Sequence, residues 1–218
     1  MSMKQRGIAL IAGLLLLTVL SMIALISVSG MILQRQMAGN LHENARALES
    51  ATYADTFAAA WLNSRADHER EAACRSGCVL PAGILNGGSL PAQPEFESLA
   101  WWREHAVTAG YDPAGGEQVG TLPADEPPAL WLAEEIHYQS TGDPAGQDSA
   151  EAIAYYRILG RGSAKKTSSI AVTEAIVARP WGGDYQAGEF PAPDGVDRFC
   201  EQFPERYDCG LLAWRQRR

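Results

Sequence analysis

Four cysteines are the residues of this chain best suited to covalent or metal chemistry. Cys74 and Cys78 have three residues between them, and Cys200 and Cys209 have eight. Such couples could hold zinc or close disulfides. A structural zinc site wants two C-x2-4-C couples, and only the first satisfies that spacing; the histidines at 42, 68, 105 and 137 are too scattered to complete it. Asp143, Asp148 and Glu151, or Asp194 and Asp197, offer oxygen ligands, but neither group follows the D-x-[DN]-x-[DN]-G order of a calcium loop. The stretch Gly160-Arg-Gly162-Ser-Ala-Lys165-Lys-Thr167 has the composition of a phosphate loop without its G-x4-G-K-[ST] spacing, and reads as a hairpin connection between two strands. G-x-S-x-G, H-E-x-x-H and G-x-G-x-x-G are all missing from the sequence. The residues therefore argue for no enzyme, no metal and no cofactor. With 18 basic against 26 acidic side chains, a net charge of -8, the chain also lacks the basic stripe that nucleic acid requires. The basic Arg215-Gln-Arg217-Arg218 end reads as a solvated tail.

Whether the cysteines oxidise depends on where the chain sits, and the N-terminus decides that. Ile8 to Leu33 is a run of 26 residues without a charge, its only polar side chains being Thr18, Ser21, Ser27 and Ser29. As a helix it would be roughly 39 Å long, more than the ~30 Å hydrocarbon core of a bilayer. Lys4 and Arg6 precede it and Arg35 is the first charge after it, so positive-inside logic keeps the N-terminus in the cytoplasm and sends the rest across. Ser27-Val-Ser29 is a formal small-x-small match to a signal cleavage site, but the run is too long for a secretory h-region of about 7–15 residues. From Gln34 to Leu62 there is no proline and one glycine, Gly39, among good helix formers. Met37, Leu41, Ala45, Leu48, Thr52, Ala54, Ala58 and Trp61 mark an apolar stripe, with Arg35, Glu43, Arg46, Glu49 and Asp55 opposite. One helix is expected to reach about Leu62, apolar all round in its first half and amphipathic in its second.

These residues resemble a known family. Lys4-Gln5-Arg6-Gly7 before Ile8-Ala9-Leu10-Ile11 resembles a type III prepilin leader. Gln34, Met37, Ala38, Gly39 and Asn40 resemble the Q-x-x-M-A-G-N signature of PilX-type minor pilins of the type IV pilus. The resemblance implies cleavage after Gly7 by a prepilin peptidase and N-methylation of Ile8. It implies an α+β, type IV pilin-like fold: a long N-terminal helix packed on a small antiparallel sheet of three or four strands. It further implies an inner-membrane precursor with a periplasmic domain, then a place in the pilus among other minor pilins and the major pilin, with a large tip adhesin as a further candidate partner. Most subunits of this class carry glutamate at the fifth mature position, where this chain has Ala12. A subunit with nothing above it needs no such carboxylate, so Ala12 favours an initiating, tip-proximal role.

In an oxidising compartment the four cysteines read as disulfides, and four allow three connectivities. Eight intervening residues let Cys200 meet Cys209 around Phe203, Pro204 and Tyr207; the same reasoning, weaker, pairs Cys74 with Cys78. Pro81 to Pro128 is broken by Asn86-Gly87-Gly88 and Pro127-Pro128; within it, Phe96 to Val107 is a short helix or edge element whose Trp101-Trp102 pair should split between core and surface. Strands are expected at Leu130–Gln139, Ala152–Gly160 and Ser168–Ala178, bounded by Thr141-Gly-Asp-Pro144 and Gly160-Arg-Gly162-Ser. They resemble the family's P-x-x-W/Y-x-x-E strand (Pro128 to Glu134), its Y-R-I-x-x-R-G strand (Tyr156 to Gly162) and a valine-rich strand ending at Arg179. The expected layout is a leader over 1–7, an apolar helix half over 8–33, an amphipathic half over 34–62, a head over 63–179 and a disulfide-closed extension over 180–218. Two alternatives stand beside the pilin: a minor pseudopilin of type II secretion, and an unrelated binding or enzymatic domain held by a signal anchor, which would keep its leader.

Overall fold

A computed structural model describes residues 3–66, 70, 79–81, 90–113, 116–119, 127–142, 150–165, 169–183, 185–188, 190 and 195–217. Helix α1 runs from Met3 to Ser64. The chain forms two compact units, Met1–His42 and Glu43–Arg218. The first is the N-terminal part of α1, and its apolar side chains are open: Leu10, Leu14, Leu17, Leu25 and Ile26 are all more than half exposed. By length and composition this helix could cross a membrane.

The second unit is α+β. Its strands are β1 (Val79–Leu80), β2 (Val107–Thr108), β3 (Leu130–Ser140), β4 (Ala152–Ser163), β5 (Ile170–Trp181) and β6 (Gly210–Arg217), with short helices α2 (Leu99–His105) and α3 (Gly195–Cys200). They make one sheet in the order β1-β3-β4-β5-β6, with β2 also on β3, and every pairing is antiparallel. The connections from β3 to β4 and from β4 to β5 are too short for crossover helices, so antiparallel pairing follows there. The three expected strands are present, each extended by one to three residues at its C-terminal end. Two two-residue strands and β6 raise the count to six.

Two faces of the sheet are covered. On one, Ala54, Ala58, Trp61 and Leu62 of α1 pack with Trp131, Tyr156, Ile158 and Val177. On the other, Trp102 of α2 packs with Leu130, Leu132, Leu159 and Val172. Period-two alternation along β4 sends Tyr156 and Ile158 to α1 and Leu159 to α2. The tryptophan pair splits as expected: Trp102 is fully buried and Trp101 lies half-buried against the same cluster. Ser98 caps α2 by accepting from the Trp101 amide at 3.1 Å.

Three expectations require correction. The buried face of α1 is Glu43, Ala47, Ala51, Ala54, Asp55, Ala58 and Leu62, whereas Ala45 and Thr52 are exposed and Leu48 is half-buried. The expected stripe is thus out of phase before Ala54, because the sheet selects small residues there over apolar ones. The second concerns Gly160 and Gly162, which lie inside β4, not in the connection after it. A Cβ on Gly160 would stand 2.5 Å from Asp55 Oδ1, and one on Gly162 would stand 2.5 Å from the Ala51 amide nitrogen, with the Ala47 and Ala51 carbonyls nearer still. Any side chain at either position would push the helix off the sheet. Lastly, the basic C-terminus is a strand and not a solvated tail: Arg215 pairs with Glu174 of β5 at 2.6 Å, and Arg217 pairs with Glu174 and with Glu95, the latter at 2.9 Å. Opposite charges across neighbouring strands hold residues that look merely hydrophilic in isolation.

Candidate assembly surfaces

The three family-like strand patterns have separate structural duties. Trp131 is fully buried, its ring 5.4 Å from that of Trp61 on α1. Glu134 stands opposite Arg157 in the β3–β4 register and accepts from it at 2.7 Å. In Tyr156–Gly162, Tyr156 and Ile158 fill the α1 side, Arg157 and Arg161 point the other way, and Gly160 and Gly162 admit the helix backbone. These patterns build the platform on which α1 rests.

A buried polar chain ties the middle of that platform. The Trp181 indole N–H donates to Tyr156 Oη at 3.0 Å, and Tyr156 Oη–H donates to Glu135 at 3.2 Å. Arg70 donates to the other Glu135 oxygen at 2.8 Å and stacks 3.7 Å above Tyr138. Burial, followed by the Glu135 charge, pushes the Tyr156 phenol well above its ordinary range. Arg179, fully buried, lies 3.2 Å over Trp181 and donates to the Arg65 carbonyl just past the end of α1.

Asp55 is the outlier among buried acids. It is 5 % exposed, faces the sheet over Gly160, and neither carboxyl oxygen makes a hydrogen bond of full geometry to a described residue, although the Thr173 hydroxyl and Trp214 indole lie near. Burial pushes its pKa up to about 7, and the nearby Thr173 hydroxyl and Trp214 indole offset only part of the rise. Its helical phase beside Ala54 and Ala58 was the available signal, overridden in the sequence reading by its charge.

Cys200 and Cys209 are joined by a disulfide. The loop they close rests on the sheet through Tyr155 Oη, which donates to Asp208 at 2.9 Å, and through a Tyr185–Phe199–Phe203 ring cluster with centroids 5.1 to 5.3 Å apart. Cys74 and Cys78 lie outside the described residues, as do Asp143, Asp148 and Asp194. Gly7 and Ile8 fall within α1. Gln34, Met37, Ala38, Gly39 and Asn40 are all exposed on α1, and beyond the helix's own adjacent turns no described residue lies within 4 Å of a Cβ placed on Gly39. The platform residues thus belong to the second unit, and the exposed signature residues to the first.

Residues 6–60 match the PilX N-terminal family. The match covers about a quarter of the chain, and over that span the chain is similar to PilX N-terminal domains. The matched span covers the open apolar helix, the exposed 34–40 signature and the alanine face up to Ala60; the sheet lies beyond it. No curated protein and no solved structure shows significant similarity to the chain.

Proposed function

We propose that this PilX-type chain is a minor pilin that primes or promotes assembly of the type IV pilus. The observation that carries the reading is the family match over residues 6–60, laid on a helix whose apolar side chains and 34–40 signature face outward. In membrane the apolar part anchors the precursor, with the sheet domain in the periplasm; in the fibre the same surface packs against other subunits' helices. Small residues at Gly13, Gly30 and Gly39 admit close helix–helix approach. Cleavage after Gly7 and methylation of Ile8 would free the helix for that transfer. Ala12 supports a tip-proximal place, since no carboxylate precedes Glu43 to meet another subunit's amine.

Intact mass of membrane-extracted protein tests the first step: the mature chain should lack Met1 to Gly7 and carry one methyl group. A retained leader would count heavily against a pilin. Deletion of the gene should reduce surface pili, and immunogold labelling should find the subunit near fibre ends. Even labelling along the shaft would defeat the tip reading while leaving the pilin reading intact.

A further inference from the structure

The face of the sheet opposite α1 carries a groove of about 610 Å³ between α2, β2 and the adjoining ends of β3, β4 and β5. Its lining includes two arginines, Arg103 from α2 and Arg161 from β4. Arg161 is only 4 % exposed, yet among the described residues its one hydrogen-bond partner is the Ser163 hydroxyl, to which it donates at 3.0 Å. Among the described residues no carboxylate lies within ion-pair distance of either arginine. Glu97 also lines the groove and pairs with neither. Burial, then the charge of Arg103, depresses the Arg161 pKa. Buried guanidinium groups are ordinarily paired, and two of like sign facing one cavity are a costly arrangement when no described carboxylate joins them.

Elsewhere this acidic chain does pair its arginines: Arg157 with Glu134, Arg70 with Glu135, Arg215 and Arg217 with Glu174. Arg103 and Arg161 have no such partner among the described residues. The position of Arg161 is also fixed from below, because its neighbours Gly160 and Gly162 hold β4 hard against α1. Leu99 and Ile170, 40 % and 52 % exposed, give the groove open apolar walls.

We propose that this groove is a docking site for an acidic peptide segment of a partner protein, a glutamate or aspartate entering between Arg103 and Arg161 and an apolar neighbour resting on Leu99 and Ile170. Guanidinium favours a carboxylate because its planar donors match the two oxygens. The apolar walls favour a peptide over a small free anion. The inference does not depend on the pilin reading and can fail separately from it.

The test uses the full chain in detergent and the peptide Gly-Glu-Leu-Glu-Gly carrying a neutral fluorophore, followed by anisotropy at low salt. Binding is expected, and Arg103→Ala should weaken it roughly tenfold, as should replacing both glutamates of the peptide by glutamine. Arg103 is exposed on a short helix where alanine is well tolerated, so the variant should fold. Arg35→Ala, on the N-terminal helix, should leave binding unchanged. No binding, equal binding by Arg103→Ala or by the glutamine peptide, or an equal loss in Arg35→Ala would each overturn the proposal. Inorganic phosphate displacing the peptide at concentrations below the peptide's own Kd would show a free-anion site instead and overturn the peptide assignment.

Discussion

Glycine serves opposite ends in the two parts of this chain. At Gly13, Gly30 and Gly39 in the N-terminal unit an added Cβ would meet nothing within 4 Å, whereas at Gly160 and Gly162 in the sheet it would collide with the α1 backbone. The alanines divide likewise, Ala47, Ala51, Ala54 and Ala58 being fully buried and the apolar residues before His42 open. Small residues mark close approach in the sheet domain, whereas those in the N-terminal unit face open space. The contrast teaches that a small residue with no neighbour of its own is best read as half of a contact with another molecule.

The comparison breaks most easily at its tight end. Gly162→Ala should cost on the order of 4 kcal/mol or abolish folding of the sheet domain, because the new methyl meets helix backbone that cannot rotate away. Chemical denaturation followed by tryptophan fluorescence would measure this. A loss under about 1 kcal/mol, the range of an unstrained surface change, would mean that helix and sheet have slack.

Asp55 sharpens the same seam through pH. Its folded pKa of about 7 lies above the ordinary carboxyl value of 3.8, so the folded state holds the proton more tightly than the unfolded one. Stability therefore should be greatest below pH about 4, fall across the interval up to about 7, and stay low above it, by up to about 4 kcal/mol. Asp55→Asn keeps the shape without the charge, so its melting temperature should exceed wild type at pH 8 and match it near pH 4. A wild-type curve flat across this interval would show that the carboxylate is solvated or paired after all.

The sequence made the strands legible because Ile, Val and Tyr alternate there between clear breakers, and it made the N-terminal family legible through a contiguous pattern. The seam was obscure for a physical reason. Alanine contributes little to hydrophobic periodicity, so Ala47 and Ala51 were outweighed by Leu48 and Thr52, although tight packing selects volume and not hydrophobicity. Strand-interior glycines imitate turn residues unless the opposing helix is known. Strand β6 was hidden because Arg215 and Arg217 become structural only beside Glu174, a partner about forty residues away. Arg103 and Arg161 share a groove for the same kind of reason: a separation of nearly sixty residues carries no spacing signal.

A smaller effect is expected at the rim of the sheet domain. Cys209→Ser opens a loop of nine-residue separation, which should cost about 2–3 kcal/mol on the chain-entropy account. Because β6 is also held by Glu174, the loss should appear chiefly as lower stability of β6 and its loop, while α1 keeps its seat on β4. Hydrogen exchange would resolve this: faster exchange over residues 201–217 with the 152–163 amides still protected. Equal loss in both would mean that the disulfide supports the whole sheet.

The smallest energetic effect belongs to Gly39, and it tests the comparison most directly. Glycine within a helix costs about 0.5–1 kcal/mol relative to alanine, and no described residue outside the adjacent turns occupies the space where the methyl would go. Gly39→Ala should therefore leave the isolated protein folded and slightly stabilise α1, seen as a modest rise in helicity by circular dichroism in detergent. If the glycine admits another subunit's helix, the same methyl should reduce pilus number, since closely approaching helices have no room for it. Stability gained together with assembly lost is the signature of an intermolecular contact, because no defect within the chain produces that pair of results. Unchanged piliation would show that Gly39 has no neighbour in the fibre either, and the parallel with Gly160 and Gly162 would end there.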